Sequence, residues 1–204
     1  MNLNFTKLSI CILGLTLTVA AKAQKRDYVI TANQDSVYCT ISRSFFSGNS
    51  SYKLNDGKSF KIKPDEIKEF YLGNEDVKQR SVIRQGKKKH EFMTVLEDGK
   101  ISLYQELTSN PGHMGANGMY YGGTSSTQWY IAKGNDTVTE VKNNDFSLAI
   151  IFNKSRKHRK ADFVEFISDN QAVYDKYKAE DKFSFKQVRG LVHLYNTGEP
   201  LKKD

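Results

Sequence analysis

The chain has 204 residues, with 31 Lys or Arg against 23 Asp or Glu and a formal charge of +8. That length can bury one good hydrophobic core or two small ones. Only Cys11 and Cys39 are cysteines, which excludes a disulfide-stapled scaffold. The moderate positive excess favours anionic surfaces without naming one.

Residues 1–23 predict a cleaved secretion signal. Lys7 supplies the positive start, and Leu8 to Ala20 is a mostly apolar run of 13 residues. Ala21-Lys22-Ala23 fits the small-x-small cleavage pattern, with Ala23 and Gln24 flanking the cut. The apolar run is shorter than the roughly 20 residues a spanning helix needs. Cys11 follows Ile10, where a lipid-modified cysteine wants a small neighbour, so the segment reads as a leader and not as an anchor. Its removal takes away Lys7 and Lys22 and leaves an excess of +6. It also leaves Cys39 as the remaining cysteine.

Residues 24–141 read as β. Tyr28 and Ile30, then Val37, Cys39 and Ile41, alternate across a turn at 32–35. The alternation points Cys39 inward as a small buried hydrophobe, with a reactive thiol as the sharper reading. Asn55-Asp56-Gly57 turns the chain before Phe60 and Ile62. Pro64-Asp65-Glu66 precedes a strand with Ile67, Phe70, Tyr71 and Leu72. Val82 and Ile83 run into Gln85-Gly86-Lys87. Phe92, Thr94 and Leu96 lead to Asp98-Gly99, the clearest hairpin signal, and Ile101, Leu103 and Gln105 follow it. Residues 111–128, rich in Gly, Ser and Asn, predict a mobile loop. Trp129 to Ile131 and Thr137 to Val141 flank Gly134-Asn135-Asp136 as a second hairpin.

Residues 142–204 switch to helical spacing. Phe146, Ala149 and Ile150 begin it, and Phe163, Phe166 and Ile167 repeat it. Ser168 with Gln171 predicts a capping box ahead of Val173, Tyr174 and Tyr177. Ser184 with Gln187 predicts another, stapled by Phe183 and Val188. Asn196-Thr197-Gly198 stops the last helix. Strands followed by helices argue an α+β fold, an antiparallel sheet or small sandwich with a bundle of short helices, in one compact unit.

Two basic clusters are the candidate anion contacts. Lys154, Arg156, Lys157, Arg159 and Lys160 read as a solvated linker between helices, and Lys87, Lys88 and Lys89 as an exposed hairpin end. If both share one face, they gain weight as a binding surface for phosphate-bearing envelope components. Nucleic acid is disfavoured, for no recognition motif or aromatic interleaving accompanies them. His113, Met114 and Met119 offer soft copper-type ligands, but no second histidine is near, so no metal or other cofactor is expected. Nucleophile elbow, phosphate loop, paired-cysteine and dinucleotide motifs are missing, which disfavours an enzyme.

The leader, the Tyr28-Val29-Ile30 to Asp35-Ser36-Val37 opening, Lys63 to Ile67, Asp98 to Tyr104, Trp129-Tyr130-Ile131 and the Leu194-Tyr195-Asn196 end together resemble a group of exported proteins of Bacteroidota without an assigned activity. The resemblance runs over most of the chain after residue 23. The opening departs from that group's usual Gly-Asp-Thr turn by carrying Gln34-Asp35-Ser36. It implies export to the periplasm or outer membrane, and no catalytic residues. It also implies O-glycosylation at Ser36 and Thr137, which sit in acidic-hydroxyl-apolar triplets. The expectation is a non-catalytic envelope protein acting by contact with an anionic component or a protein partner. A periplasmic small-ligand module, signalled by a deep apolar cavity with a few convergent polar groups, is the alternative, and an enzyme using Cys39 or a histidine comes third.

Overall fold

The computed structural model describes residues 25–43, 50–114, 116, 118–144, 154–180 and 182–202. The expected leader with its Ala23–Gln24 cut, and the helical spacing at Phe146, Ala149 and Ile150, lie outside the described residues.

The expected α+β class holds, with a large mixed sheet followed, among the described residues, by three helices. The strands are β1 (Tyr28–Thr31), β2 (Ser36–Tyr38), β3 (Thr40–Arg43), β4 (Ser50–Lys53), β5 (Ser59–Lys61), β6 (Ile67–Leu72), β7 (Val77–Arg84), β8 (His90–Glu97), β9 (Ile101–Asn110), β10 (His113–Met114), β11 (Tyr120–Tyr121), β12 (Thr124–Lys133) and β13 (Thr137–Asn143). The helices are α1 (Arg156–Ile167), α2 (Gln171–Glu180) and α3 (Phe185–Thr197).

The main sheet runs β13-β12-β9-β8-β7-β6-β1-β2 and then closes on itself. β13 pairs in parallel with β7, Thr137 opposite Ile83 and Val138 opposite Arg84. Strands β7, β8, β9, β12 and β13 therefore form a small barrel, and β6, β1 and β2 continue from its wall. One edge of β7 serves both partners, since its first half pairs with β6, from Leu72 opposite Val77 to Glu69 opposite Arg80.

Side-chain alternation along the strands builds two cores from one wall. Val82, Met93, Tyr104, Tyr130, Ala132 and Val138 fill the barrel. Ile101, Leu103, Trp129, Ile131 and Val141 point outward against Phe163, Ile167, Val173, Tyr177, Val188, Leu191 and Val192 of the helices. A third core lies where the β3-β4-β5 sheet covers β1 and β6, and there the sandwich expectation is met locally. Ile41, Tyr52 and Ile62 pack on Val29, Ile67, Phe70 and Leu72. Cys39 packs against the same core, half-buried, as its alternation predicts.

The helix starts follow local chemistry. Ser184 caps α3 by accepting from Gln187 N at 3.2 Å. The Gln187 side chain bonds Glu180 instead of closing the predicted box. The box predicted at Ser168 is corrected: Ser168 ends α1, and Asn170 caps α2 by accepting from Val173 N at 3.3 Å. A side-chain amide one residue before the helix is better placed than Ser168 to satisfy its free N–H groups. Gly198 ends α3 in the left-handed region, at φ 76°, where a residue without a Cβ is favoured.

The last turn of α3 is stitched to the Asp98-Gly99 hairpin. Asn196 accepts from Ile101 N at 3.0 Å and donates to Ile101 O at 2.7 Å, as a neighbouring strand would. A Cβ on Gly99 would sit 2.5 Å from Asn196 Cγ, and the amide, held by both bonds, has nowhere to swing. Asn196→Ala is expected to cost about 2 kcal/mol for two lost hydrogen bonds, and Gly99→Ala about 1–3 kcal/mol by overpacking. Denaturant unfolding of both single variants and the double variant checks this. The double should cost less than the sum, because truncating the Asn196 side chain makes room for the methyl added at Gly99.

Candidate functional site

The barrel has a polar rim at each end. At one rim β7 delivers Arg84 inward, just before the chain turns at Gly86, which holds φ 79°. The Arg84 guanidinium bonds both oxygens of Glu91, Glu106 Oε1 at 2.5 Å and the Tyr130 hydroxyl at 2.9 Å. It also lies 5.2 Å from the centre of the Tyr130 ring, within cation–π range. The Glu91 bonds, with further support from Tyr130 and Glu106, raise the Arg84 pKa despite burial. Burial raises the Tyr130 hydroxyl pKa, with Arg84 opposing, so that hydroxyl stays protonated.

Arg84 takes up both Glu91 and Glu106, the carboxylates of the neighbouring strands at this rim. Lys87, Lys88 and Lys89 are exposed, and among the described residues none is in an ion pair. With Pro64, Arg84 and Phe92 they border an open cleft of about 650 Å³.

The second basic cluster is not a linker. Ser155 accepts from His158 N at 3.2 Å and starts a helix, so Arg156 to Lys160 form the first turn and a half of α1. A basic first turn runs against the helix dipole and adds to the positive field. Gln85 joins the clusters: its Oε1 accepts from Lys154 Nζ at 3.0 Å and Thr139 Oγ1 at 3.4 Å. The segment leading into the lysine turn and the segment leading into α1 thus meet at Gln85.

The members of the second cluster differ. Arg156 and Lys157 are exposed and among the described residues have no ion-pair partner. Lys154 pairs with Asp162 at 2.8 Å. Arg159 turns inward to Glu140, 3.5 Å away, and to the Lys154 carbonyl. Its Nε is buried without a hydrogen-bond partner among the described residues. Burial raises the Glu140 pKa, with Arg159 opposing. Lys142 reports the local field: burial, then repulsion from Arg156 and Arg159, lowers its pKa. Ser36 and Thr137 stand exposed as the first residues of β2 and β13.

At the opposite rim Arg80 is clamped between two carboxylates. It bonds Glu69 Oε2 at 2.9 and 2.6 Å, and Asp98 at 2.9 and 2.8 Å. Tyr28 donates to Glu69 at 2.9 Å, and Lys78 to Asp98 at 3.0 Å. An open cleft of about 540 Å³ lies over Arg80, edged by Gln34, Lys68, Ser102, Asn135 and Asp136. The two clamped carboxylates are both ion-paired to Arg80.

Other reactive groups are also engaged. Burial, with the Asp27 charge behind it, pushes the Cys39 thiol up to about 11, which disfavours the thiolate form near neutral pH. Ser81 lies 3.1 Å from His90 Nδ1, but its hydroxyl donates to the Pro64 carbonyl at 2.7 Å. That leaves no Ser81 proton for His90 to take. His193 and Arg189 both bind Glu97, at 2.9 and 2.6 Å, and fasten α3 to β8. Among the described residues no group of three or more His, Cys, Asp or Glu is placed to hold a metal ion, and no helix is long and apolar enough to cross a membrane.

Gln85, Arg84 and Arg80 were not singled out by sequence reasoning. Their signal was Arg80-Val82-Arg84, charges at i and i+4 on the inward face of a strand, with Glu91 and Glu106 on the next two strands. No protein-family model, curated protein or solved structure matches this chain.

Hydrogen bonds from Arg80 lower the Asp98 pKa to about 2, against an ordinary 3.8. A depressed carboxylate adds stability that is complete above its unfolded value and is lost as pH falls through the folded one. Asp98→Asn is therefore expected to flatten the loss of stability between about pH 4 and pH 2, read from thermal melts across that range. An unchanged acid limb would show that the Arg80 clamp adds nothing net.

Proposed function

We propose that this protein is an exported, non-catalytic component of the cell envelope, periplasmic or associated with the outer membrane, that works by contact of its basic face with an anionic envelope component. The observation that carries the reading is the Lys154–Gln85 hydrogen bond, which ties the residue two before α1 to the residue two before Lys87. Separately, each cluster is an ordinary solvated surface. Together they offer five exposed cations without an ion-pair partner among the described residues, Lys87, Lys88, Lys89, Arg156 and Lys157. The export part rests on residues 1–23 and on the resemblance to exported proteins.

The small-ligand alternative asked for a deep apolar cavity with a few convergent polar groups. The cleft over Arg80 is open and edged by polar side chains, so that reading takes second place. The enzyme reading is weakened by the protonated Cys39 thiol and the engaged Ser81 hydroxyl.

Binding to vesicles containing phosphatidylglycerol is expected at low salt and should weaken as salt rises, because exposed charges are screened. Replacing Lys87, Lys88 and Lys89 with Gln should weaken it by up to about a hundredfold, at about 1 kcal/mol for each lysine near an anionic surface. Arg159→Gln should instead lower the melting temperature and leave vesicle affinity near the parent value. Cosedimentation and calorimetry check both. Absence of low-salt binding would end the contact reading for lipid surfaces.

A further inference from the structure

Strands β9 and β12 outrun the barrel. They pair without a break from Ile101 opposite Lys133 to Asn110 opposite Thr124. The rim is marked by Glu106, which Arg84 holds, and by the Tyr130 hydroxyl, 2.6 Å from Gln128 Oε1. From Leu107 outward the two strands are an arm, continued by the β10–β11 ladder, where Met114 pairs with Tyr120. Tyr120 donates to the Pro111 carbonyl at 2.5 Å. Residues 111–128, read as a mobile loop, thus include paired strand at both ends.

Three features of this arm belong together. Its described apolar side chains are turned to solvent: Leu107 is 69% exposed, Met114 71%, Met119 64% and Tyr120 64%. It carries no formal charge, for no Asp, Glu, Lys or Arg occurs from Leu107 to Ala132, the longest such run in a chain that is 26% charged. It also leaves the barrel at the rim from which Arg84 leads into Lys87, Lys88 and Lys89. An uncharged projection that exposes Leu, Met and Tyr side chains beside a turn of exposed lysines matches a surface that is anionic at its outer layer and apolar beneath it. A lipid bilayer has that layering.

We propose that the β9–β12 arm is a bilayer-docking prong. It sets Leu107, Met114, Met119 and Tyr120 into the interfacial layer of an anionic membrane, while the lysine turn and the start of α1 meet the phosphates. This rests on the contact reading above and names lipid as what the basic face meets. Insertion is shallow, because a two-stranded arm has open edges whose N–H and C=O groups need the water of the headgroup layer. Tyr120 suits that depth, with an apolar ring and a polar hydroxyl.

Tyr120→Trp places a reporter on the arm, and the native Trp129, buried against Phe185, is the internal control in the parent protein. On phosphatidylglycerol vesicles the Tyr120→Trp emission should shift to the blue and be quenched by lipids brominated near the headgroup, with the parent emission unchanged. Replacing Leu107, Met114 and Met119 with Ser should weaken vesicle partitioning on the order of tenfold without moving the melting temperature. It should leave the remaining binding more sensitive to salt. Vesicle binding at low salt with unquenched Tyr120→Trp emission would overturn the prong and leave the basic contact standing. No binding at low salt would overturn both the prong and the basic contact with lipid. A dimer in lipid-free solution that the triple Ser variant separates would assign the arm to a second copy of the chain and overturn the lipid assignment.

Discussion

Everything in the structure depends on one edge of β7 serving two partners. Its first half holds β6, and through β6 the strands β1 and β2 with the small sheet that covers them. Its second half holds β13 and so closes the barrel. The outer barrel wall then gives the three helices an apolar surface, since helices of this length are marginal without one. The turn that follows β7 carries the lysines and Gln85, so the same strand sets the position of the basic face.

The barrel interior is apolar in the middle and ionic at both rims. Arg80 and Arg84 sit on either side of Val82, each inward and each answered by carboxylates from neighbouring strands. Such ion pairs are weak evidence for stability, because desolvation offsets much of the attraction. Their geometric content is larger. A guanidinium that must meet Glu91, Glu106 and Tyr130 together fixes the register of β7, β8, β9 and β12, where a one-residue slip would turn each group to the wrong face. Beyond that neutralised rim the outward lysines are exposed and, among the described residues, outside any ion pair.

What was legible in the sequence was local. Asp98-Gly99, Gly134-Asn135-Asp136 and the Ser184 cap each encode their geometry within a few residues, and each lies where expected. The α+β order followed from the change of apolar period. Ser168 with Gln171 matched the spacing of a box, but Asn170 held the better position for the same N–H groups. The start of α1 was hidden because its first turn lacks an apolar period, and only Ser155 marked it. The strand content of 111–128 was hidden because Thr124 to Thr127 are held by backbone pairing with β9, which composition does not report. Barrel closure had no local signal at all, being a parallel contact between distant segments. The meeting at Gln85 depends on that closure, for Thr139 of β13 is one of its partners.

The closing contact also orders events in time. Ile83 and Thr137 are 54 positions apart, and a pairing of that range forms late, after its loop-closure entropy has been met. Until then the second half of β7 presents unpaired backbone groups beside Val82 and Ile83, the arrangement that templates strand addition from another chain. A nascent or proteolysed chain that stops short of Thr137 therefore carries its own nucleus for aggregation.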